Sequence, residues 1–259
     1  MNHGTLYGVG VGPGAPDLLT LRAVNVLRGA DVLAIPRSNK HRPSLAWRTA
    51  EAAIGDVDGQ IREHFVFPMS KDPARLVPAW DVALSAIGKH LEEGRDVAFP
   101  TMGDPFLYST FQYLWTAAGE RWPEVRREIV PGVCCLTAVP VAAGVPIADG
   151  QERIAVLPAT WGIENLESVL REFDTVLLMK VSSCLAEVRE AIARAGLTDR
   201  AVYVSRASQE DERIERDLAV IDAEGACDYF SMVVVKRGDR AGVLMGTSQR
   251  GQKAEGGEA

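Results

Sequence analysis

Apolar residues recur along the first 145 positions in short β-rich runs separated by longer stretches that carry a helical stripe. Thr5 to Val11 reads as a strand ending in glycines. Asp17 to Leu27 reads as a helix with Asp17 as its cap. Asp31 to Ile35 is a short strand closed by Pro36, and Pro43 to Ile54 a helix with proline in its first turn. Ile61 to Phe67 is a strand. Ala74 to Glu93 is a longer helix that sets Leu76, Trp80, Leu84, Ile87 and Leu91 on one side and stops at Gly94. Asp96 to Phe99 (strand), Phe106 to Ala118 (helix), Glu128 to Val130 (strand) and Cys134 to Ala143 (a helix of small residues) complete the series. Such alternation predicts an α/β fold with a mostly parallel sheet covered by helices. Ligands in such sheets bind beyond the carboxyl ends of the strands. Three loops fall there: GVGPGAPD, PTMGDPFLYST and PGVCCLTA.

The pattern pauses at VPIADGQE, read as a linker, and then resumes. Arg153 to Leu157, Thr175 to Met179 and Ala201 to Ser205 are strands, and Glu164 to Glu172 and Leu185 to Ala195 are helices. The charged stretch QEDERIERDL precedes a last β-rich run, Tyr229 to Val235. The expected organisation is an N-terminal α/β domain over 1–145 and a mixed C-terminal α/β domain over 146–237 with antiparallel pieces near its end. A disordered tail over 238–259, rich in Gly, Lys, Glu and Gln, follows.

Composition narrows the function classes. Apolar residues make up 47% and charged residues 24% of 259 positions, a globular balance. No apolar run approaches the roughly 18 residues that span a bilayer, and MNHGTLYGVGVG lacks the layout of a signal peptide. The expected setting is the cytoplasm, with no membrane partner. A net charge of −7 argues against a nucleic-acid partner. Cys134, Cys135, Cys184 and Cys227 form no CxxC pair, so free thiols fit better than a disulfide framework or a zinc site. His3, His41, His64 and His90 make no ligand motif, and no metal site is expected.

Gly10, Gly12 and Ala15 match G-x-G-x-x-A, the dinucleotide-binding fingerprint. Two details oppose a nicotinamide or flavin enzyme. Pro13 and Pro16 sit where the turn should pass straight into a helix. The acid that should end the second strand is absent, since Asp31 opens DVLAI and Pro36 and Arg37 close it.

All three loops are better explained together. GVGVGPGAPDLLTLRA resembles the N-terminal signature of the tetrapyrrole methyltransferases, TMGDPFLYST their Gly-Asp-Pro loop, and PGVCCLTAVPVAAGVPI their Pro-Gly segment. Order and spacing agree, VLLMK and VSRASQEDERI also fit, and the resemblance covers roughly residues 4 to 236. VFPMSKD, PAWDVALSAI and GDPFLYSTFQYL are similar to the branch that methylates precorrin-2 at C-20. The resemblance implies a two-domain tetrapyrrole methylase fold, distinct from the Rossmann methyltransferases, with a ligand cleft between the domains and a homodimer as the assembly. It implies S-adenosyl-L-methionine as methyl donor, leaving as S-adenosyl-L-homocysteine. It further implies a cofactor pocket of Pro13, Gly103, Asp104, Pro105, Tyr108, Ser109, Thr110, Cys134, Cys135, Met179 and Ala207.

The chemistry of these residues is consistent with that role and with plainer ones. Gly103 lets backbone approach a ligand closely and Pro105 stiffens the turn. Asp104 can accept hydrogen bonds from the donor's ammonium head or ribose, or simply cap the helix near Phe106. Cys134 and Cys135 can border the donor or pack as small residues; a nucleophilic thiol at a helix N-terminus is a third reading. Met179 can be core or contact.

The implied substrate, precorrin-2, is an anionic macrocycle. Arg37, Lys40, His41, Arg42 and Arg48 follow the second strand at the expected ligand edge, and arginine suits bidentate carboxylate binding. Of these, Arg37, Lys40 and Arg48 are the candidate substrate contacts, against a solvated surface as the alternative. Arg206, Arg213 and Arg216 are further candidates, and Phe67, Tyr108, Tyr113 and Trp115 can supply aromatic walls or core. A base is not identified: where the uroporphyrinogen branch carries an acid after the second strand, this chain has Pro36.

Overall fold

A computed structural model describes residues 3–39, 41, 43–68, 70, 72–160, 163–221 and 227–238. Lys40, Arg42 and the tail from residue 239 lie outside the described residues. The chain divides into two compact units. The first holds residues 1–138 with a returning segment, Ser208–Glu210, and the second holds 139–207 and the remainder from 211.

The first unit contains β1 (Leu6–Gly10), α1 (Leu21–Gly29), β2 (Val32–Arg37), α2 (Leu45–Ile54), β3 (Ile61–Val66), α3 (Pro73–Glu92), β4 (Val97–Thr101), α4 (Phe111–Arg121) and β5 (Arg127–Val130). The strands form one sheet in the order β3-β2-β4-β1-β5, and every pairing in it is parallel. Alternation along the strands sorts the core onto two faces. Leu6, Val32, Ala34, Phe65, Val97 and Phe99 meet α3 and α4 through Leu84, Ile87, Leu91, Phe111 and Leu114. Val9, Leu33, Ile35, Ala98 and Val130 meet α1 and α2 through Ala23, Leu27, Trp47, Ala50 and Ile54. Gly8 is small because the Phe111 ring lies on β1: a Cβ there would stand 2.2 Å from the ring.

Three helix starts differ from the sequence expectation. α1 begins at Leu21, where Thr20 Oγ1 accepts from the Ala23 amide at 3.1 Å. Asp17 sits instead in a short 3-10 turn, Pro16–Leu18, because Leu19 is extended and breaks continuity. α2 is capped by Ser44, which accepts from the Trp47 amide at 3.2 Å, so Pro43 lies outside the helix. α4 starts at Phe111 rather than Phe106. Tyr108 has a left-handed φ of 50°, which ends any helical path through 106–110.

α5 (Cys135–Ala143) carries the chain from the first unit into the second. The second unit contains β6 (Ile154–Pro158), α6 (Leu166–Glu172), β7 (Thr175–Met179), α7 (Leu185–Arg194), β8 (Ala201–Ser205), β9 (Arg213–Glu215) and β10 (Ser231–Lys236). Its sheet runs β6-β7-β10-β8-β9. Only β6 and β7 pair in parallel; β10 is antiparallel to both β7 and β8, and β9 to β8. β9 forms inside the charged stretch, which carried no strand signal. Val176, Leu178, Tyr203, Val233 and Val235 pack with Leu166, Leu170, Leu185, Val188 and Ile192 from the two helices. No helix among the described residues is long and apolar enough to cross a membrane.

Candidate functional site

The strand order puts β4, β1 and β5 side by side, so the loops leaving their carboxyl ends emerge together. These are the three loops of the sequence motifs, and each contributes a glycine to one backbone junction. The Gly103 amide donates to the Gly12 carbonyl at 2.8 Å, and the two residues form an isolated antiparallel bridge. A Cβ on Gly10 would stand 2.5 Å from the Gly103 carbonyl oxygen and 2.6 Å from the Gly132 nitrogen. One on Gly132 would stand 2.1 Å from the same oxygen. Real Cβ atoms do not approach backbone so closely, so three main chains meet here only because side chains are missing. Gly12 and Gly103 also hold φ values of 77° and 66°, the left-handed region.

Asp104 fastens the junction. Its Oδ2 accepts from the Gly132 amide at 3.1 Å and its Oδ1 from the Phe106 amide at 2.9 Å. It therefore caps the turn at Phe106 rather than helix α4, which starts five residues later, and it ties the β4 loop to the β5 loop. The cap position of α4, Thr110, makes no side-chain cap bond; one residue earlier, Ser109 Oγ accepts from the Phe111 amide at 3.1 Å and lies 2.9 Å from Thr101 Oγ1. Pro105 is buried, Thr110 is half-buried and Tyr108 is exposed.

Cys134 and Cys135 are both half-buried at the start of α5, next to the junction: Cys134 Cβ lies 3.8 Å from where a Cβ on Gly103 would be. Burial, and then the neighbouring Cys134, push the Cys135 thiol up to about 11. The helix N-terminus does not activate Cys135; it stays a thiol near neutral pH and the nucleophilic reading is withdrawn for it.

In the second unit Met179 ends β7, flanked by Pro158 on β6 and Met232 on β10, and its carbonyl accepts from the Ala159 amide at 2.7 Å. Ala207 is 6% exposed, just past β8. It sits between Arg206 and Ser208, which both have left-handed φ, 50° and 66°.

The basic candidates separate. Arg37 ends β2, and its Nε donates to His64 Nδ1 at 3.0 Å. Burial, and then the Arg37 charge, lower the His64 imidazole from its ordinary value, which favours the neutral form that accepts that bond. Arg48 is exposed on α2 and Lys40 lies outside the described residues. The three later arginines already have partners and do not present a ready carboxylate receptor. Arg206 pairs with Asp228 and Asp211, each at 2.7 Å, and Arg213 with Glu215 at 2.9 Å. Arg216 donates to the Ala143 carbonyl at 2.8 Å. Among the aromatic candidates, Phe67 is core, 4.4 Å from Trp80 between ring centroids, and Trp115 packs on Phe111 and Phe106. Tyr113 and Tyr108 remain exposed. Among the described residues no group of three His, Cys, Asp or Glu side chains is arranged to hold a metal ion.

Sequence reasoning missed two residues of this site, Ser208 and Gln209. Ser208 Oγ accepts from the Ala15 amide at 3.2 Å, and Gln209 Nε2 donates to the Pro13 carbonyl at 3.3 Å. The signal was present, since both stand in the VSRASQEDERI segment. Their partners lie some 195 residues away, and neither residue type marks such a contact.

A family model for Tetrapyrrole (Corrin/Porphyrin) Methylases matches residues 5–220. The chain belongs to the tetrapyrrole methylase family. Among curated members of that family it is 37% identical over 235 residues to a probable cobalt-precorrin-2 C(20)-methyltransferase of Methanocaldococcus jannaschii, covering 90% of this chain and 96% of the relative. It is 30% identical over 245 residues to a precorrin-2 C(20)-methyltransferase of a Sinorhizobium species, covering 90% and 95%. It spans about half, 48%, of the length of the cobalamin biosynthesis protein CobIJ of Mycobacterium tuberculosis, at 35% identity. A solved tetrapyrrole methylase, the uroporphyrin-III C-methyltransferase of Thermus thermophilus complexed with S-adenosylhomocysteine, shares the fold with a TM-score of 0.62. Identity to it is 21%, and the match covers 90% of this chain and 97% of that one. The α/β architecture with one parallel and one mixed sheet is thus the tetrapyrrole methylase fold.

Proposed function

We propose that this methylase transfers a methyl group from S-adenosyl-L-methionine to the meso carbon C-20 of a precorrin-2-type ring, giving precorrin-3A or its cobalt form in cobalamin biosynthesis. The observation that carries the reading is the junction of Gly10, Gly103 and Gly132 pinned by Asp104. It turns three separated motifs into one surface built largely of main chain. The adenosine and amino-acid parts of such a donor need polar backbone groups rather than a phosphate cradle, and a junction where main chain is uncovered by side chains supports that reading. The names of the relatives from Methanocaldococcus jannaschii and Sinorhizobium support C-20 as the position.

The residues proposed to hold the donor in the first unit are Pro13, Gly103, Asp104, Pro105, Tyr108, Ser109, Thr110, Cys134 and Cys135. In the second unit they are Met179 and Ala207. When bound, the donor supplies an electrophilic methyl on a sulfonium. The protein's work is alignment and exclusion of water. Carbon C-20, made electron-rich by the conjugated pyrrole nitrogens, forms the new C–C bond as the C–S bond breaks and its electron pair stays on sulfur. Loss of the C-20 proton to solvent restores conjugation. Arg37, Arg48 and Lys40 are proposed to meet the ring carboxylates. A homodimer in the cytoplasm accompanies this reading on the strength of the family resemblance, and sedimentation analysis tests the dimer.

The deciding experiment incubates the protein with methyl-labelled donor and either metal-free or cobalt-bearing precorrin-2, and locates the label by NMR. Label at C-20 in one of the two supports the reading and names the metal state. Label at another carbon, or none, refutes it. A nicotinamide enzyme would instead bind NADH and not S-adenosylhomocysteine in calorimetry.

A further inference from the structure

Four consecutive residues of the first glycine loop are tied to three parts of the first unit: the β4 loop, α2 and the returning segment. The Gly12 carbonyl accepts from Gly103, the Gly14 carbonyl from Thr49 Oγ1 at 3.3 Å, and the Ala15 amide donates to Ser208 Oγ. The Pro13 carbonyl accepts from Gln209 Nε2. Gln209 does a second thing. A Cβ on Gly14 would stand 2.3 Å from Gln209 Cγ, so the aliphatic stem of Gln209 fills the place a side chain at position 14 would take.

This matters because the loop is intrinsically loose. Gly12 and Gly14 hold φ of 77° and 152°, where glycine alone is at ease, and glycine loses more freedom on ordering than any other residue. A ligand that had to order the loop itself would bind more weakly by that cost. Ser208 keeps a left-handed φ while making its bond, which marks the returning segment as held in place by its surroundings.

We propose that Gln209 is a positioning residue for donor binding: from 196 positions further along the chain it braces Pro13 and Gly14 in the binding conformation without touching the donor. The inference rests on the donor reading above. Its consequence is that donor affinity depends on two separable features of one side chain, the amide donor and the packed stem.

The test measures S-adenosylhomocysteine binding by calorimetry on the full chain, wild type against Gln209→Met, which keeps the stem, and Gln209→Ala, which loses both. Hydrogen exchange at the Gly14 and Ala15 amides is followed alongside. The expected dissociation constant rises roughly 3- to 10-fold in the Met variant and further in the Ala variant. Exchange at the two amides quickens in the same order, while the melting temperature stays near wild type. An unchanged constant in both variants, with wild type binding normally, overturns the brace alone. So does a raised constant with unaltered amide exchange, since Gln209 would then act by direct contact. A rise that only tracks a falling melting temperature overturns it as well. Wild-type protein that does not bind the probe overturns the donor reading and the brace together.

Discussion

Asp104 accepts a hydrogen bond from the Gly132 amide at 3.1 Å across 28 residues, and through it the Gly-Asp-Pro loop and the Pro-Gly loop become one structure. Two backbone donors depend on this one carboxylate, the second being Phe106. Asp104→Ala leaves both without their partner, and each orphaned donor costs about 1–3 kcal/mol where water does not replace it. The expected result is a fold that persists with a lower urea midpoint, and S-adenosylhomocysteine binding weakened at least tenfold. An unchanged midpoint together with unchanged binding would remove Asp104 from both roles.

Gly132→Ala places a methyl 2.1 Å from the Gly103 carbonyl oxygen, a backbone atom that cannot swing away. Overpacking of this kind costs about 1–3 kcal/mol or more, and here it also spreads the junction. Donor binding should fall below detection. Gly29→Ala is the matched control: it lies in helix α1 with nothing within 4 Å of the new atom, and alanine there should stabilise by about 0.5–1 kcal/mol. Thermal melts and calorimetry on the two variants check both signs.

His64 makes the stability of the fold depend on pH. Its folded-state value lies below the ordinary 6.5, from burial and then from Arg37. Below 6.5 the unfolded chain therefore binds more protons than the folded one, so stability rises with pH in that range. The contribution is complete above 6.5 and is lost as pH falls through 6.5 toward the folded-state value. Unfolding free energies at pH 8 and pH 5 should differ more in wild type than in His64→Gln. Equal differences would mean that His64 does not titrate in this way.

Arg37→Ala frees His64 from its charged neighbour and removes a candidate carboxylate contact at the end of β2. The tetrapyrrole KM should rise several-fold while the dissociation constant for S-adenosylhomocysteine holds. Arg48→Ala, on α2, should behave likewise. Wild-type kinetics in both variants would return these side chains to the solvated surface.

Cys135, with its thiol pushed up to about 11, should react with iodoacetamide far more slowly than a free thiol at pH 8, and Cys135→Ser should retain methyl transfer. Rapid labelling of Cys135 at pH 8, read by peptide mass mapping, would contradict the burial that raises it.

The parallel sheet was legible because its strands are short, apolar and separated by helical stripes, and the strand ends placed the three loops correctly. Cap positions were less legible. Asp17 and Thr20 are both good caps three residues apart, and only the extended Leu19 between them decides for Thr20. The helix drawn from Phe106 failed because a left-handed Tyr108 has no signature in its residue type. β9 escaped notice because its pairing with β8 is a tertiary event that charged side chains do not advertise. The arginines of the second unit looked available for an anion in sequence. Their acids, Asp211, Asp228 and Glu215, were equally visible, but which of them meet is a matter of folding.

The middle position of the second sheet belongs to its last strand. During synthesis the first sheet has all five strands once Val130 has left the ribosome, whereas the second lacks the strand that pairs with both β7 and β8 until residues 231–236 emerge. A nascent chain arrested shortly before Ser231 would therefore expose the facing edges of β7 and β8, and protease sensitivity confined to that half would report it.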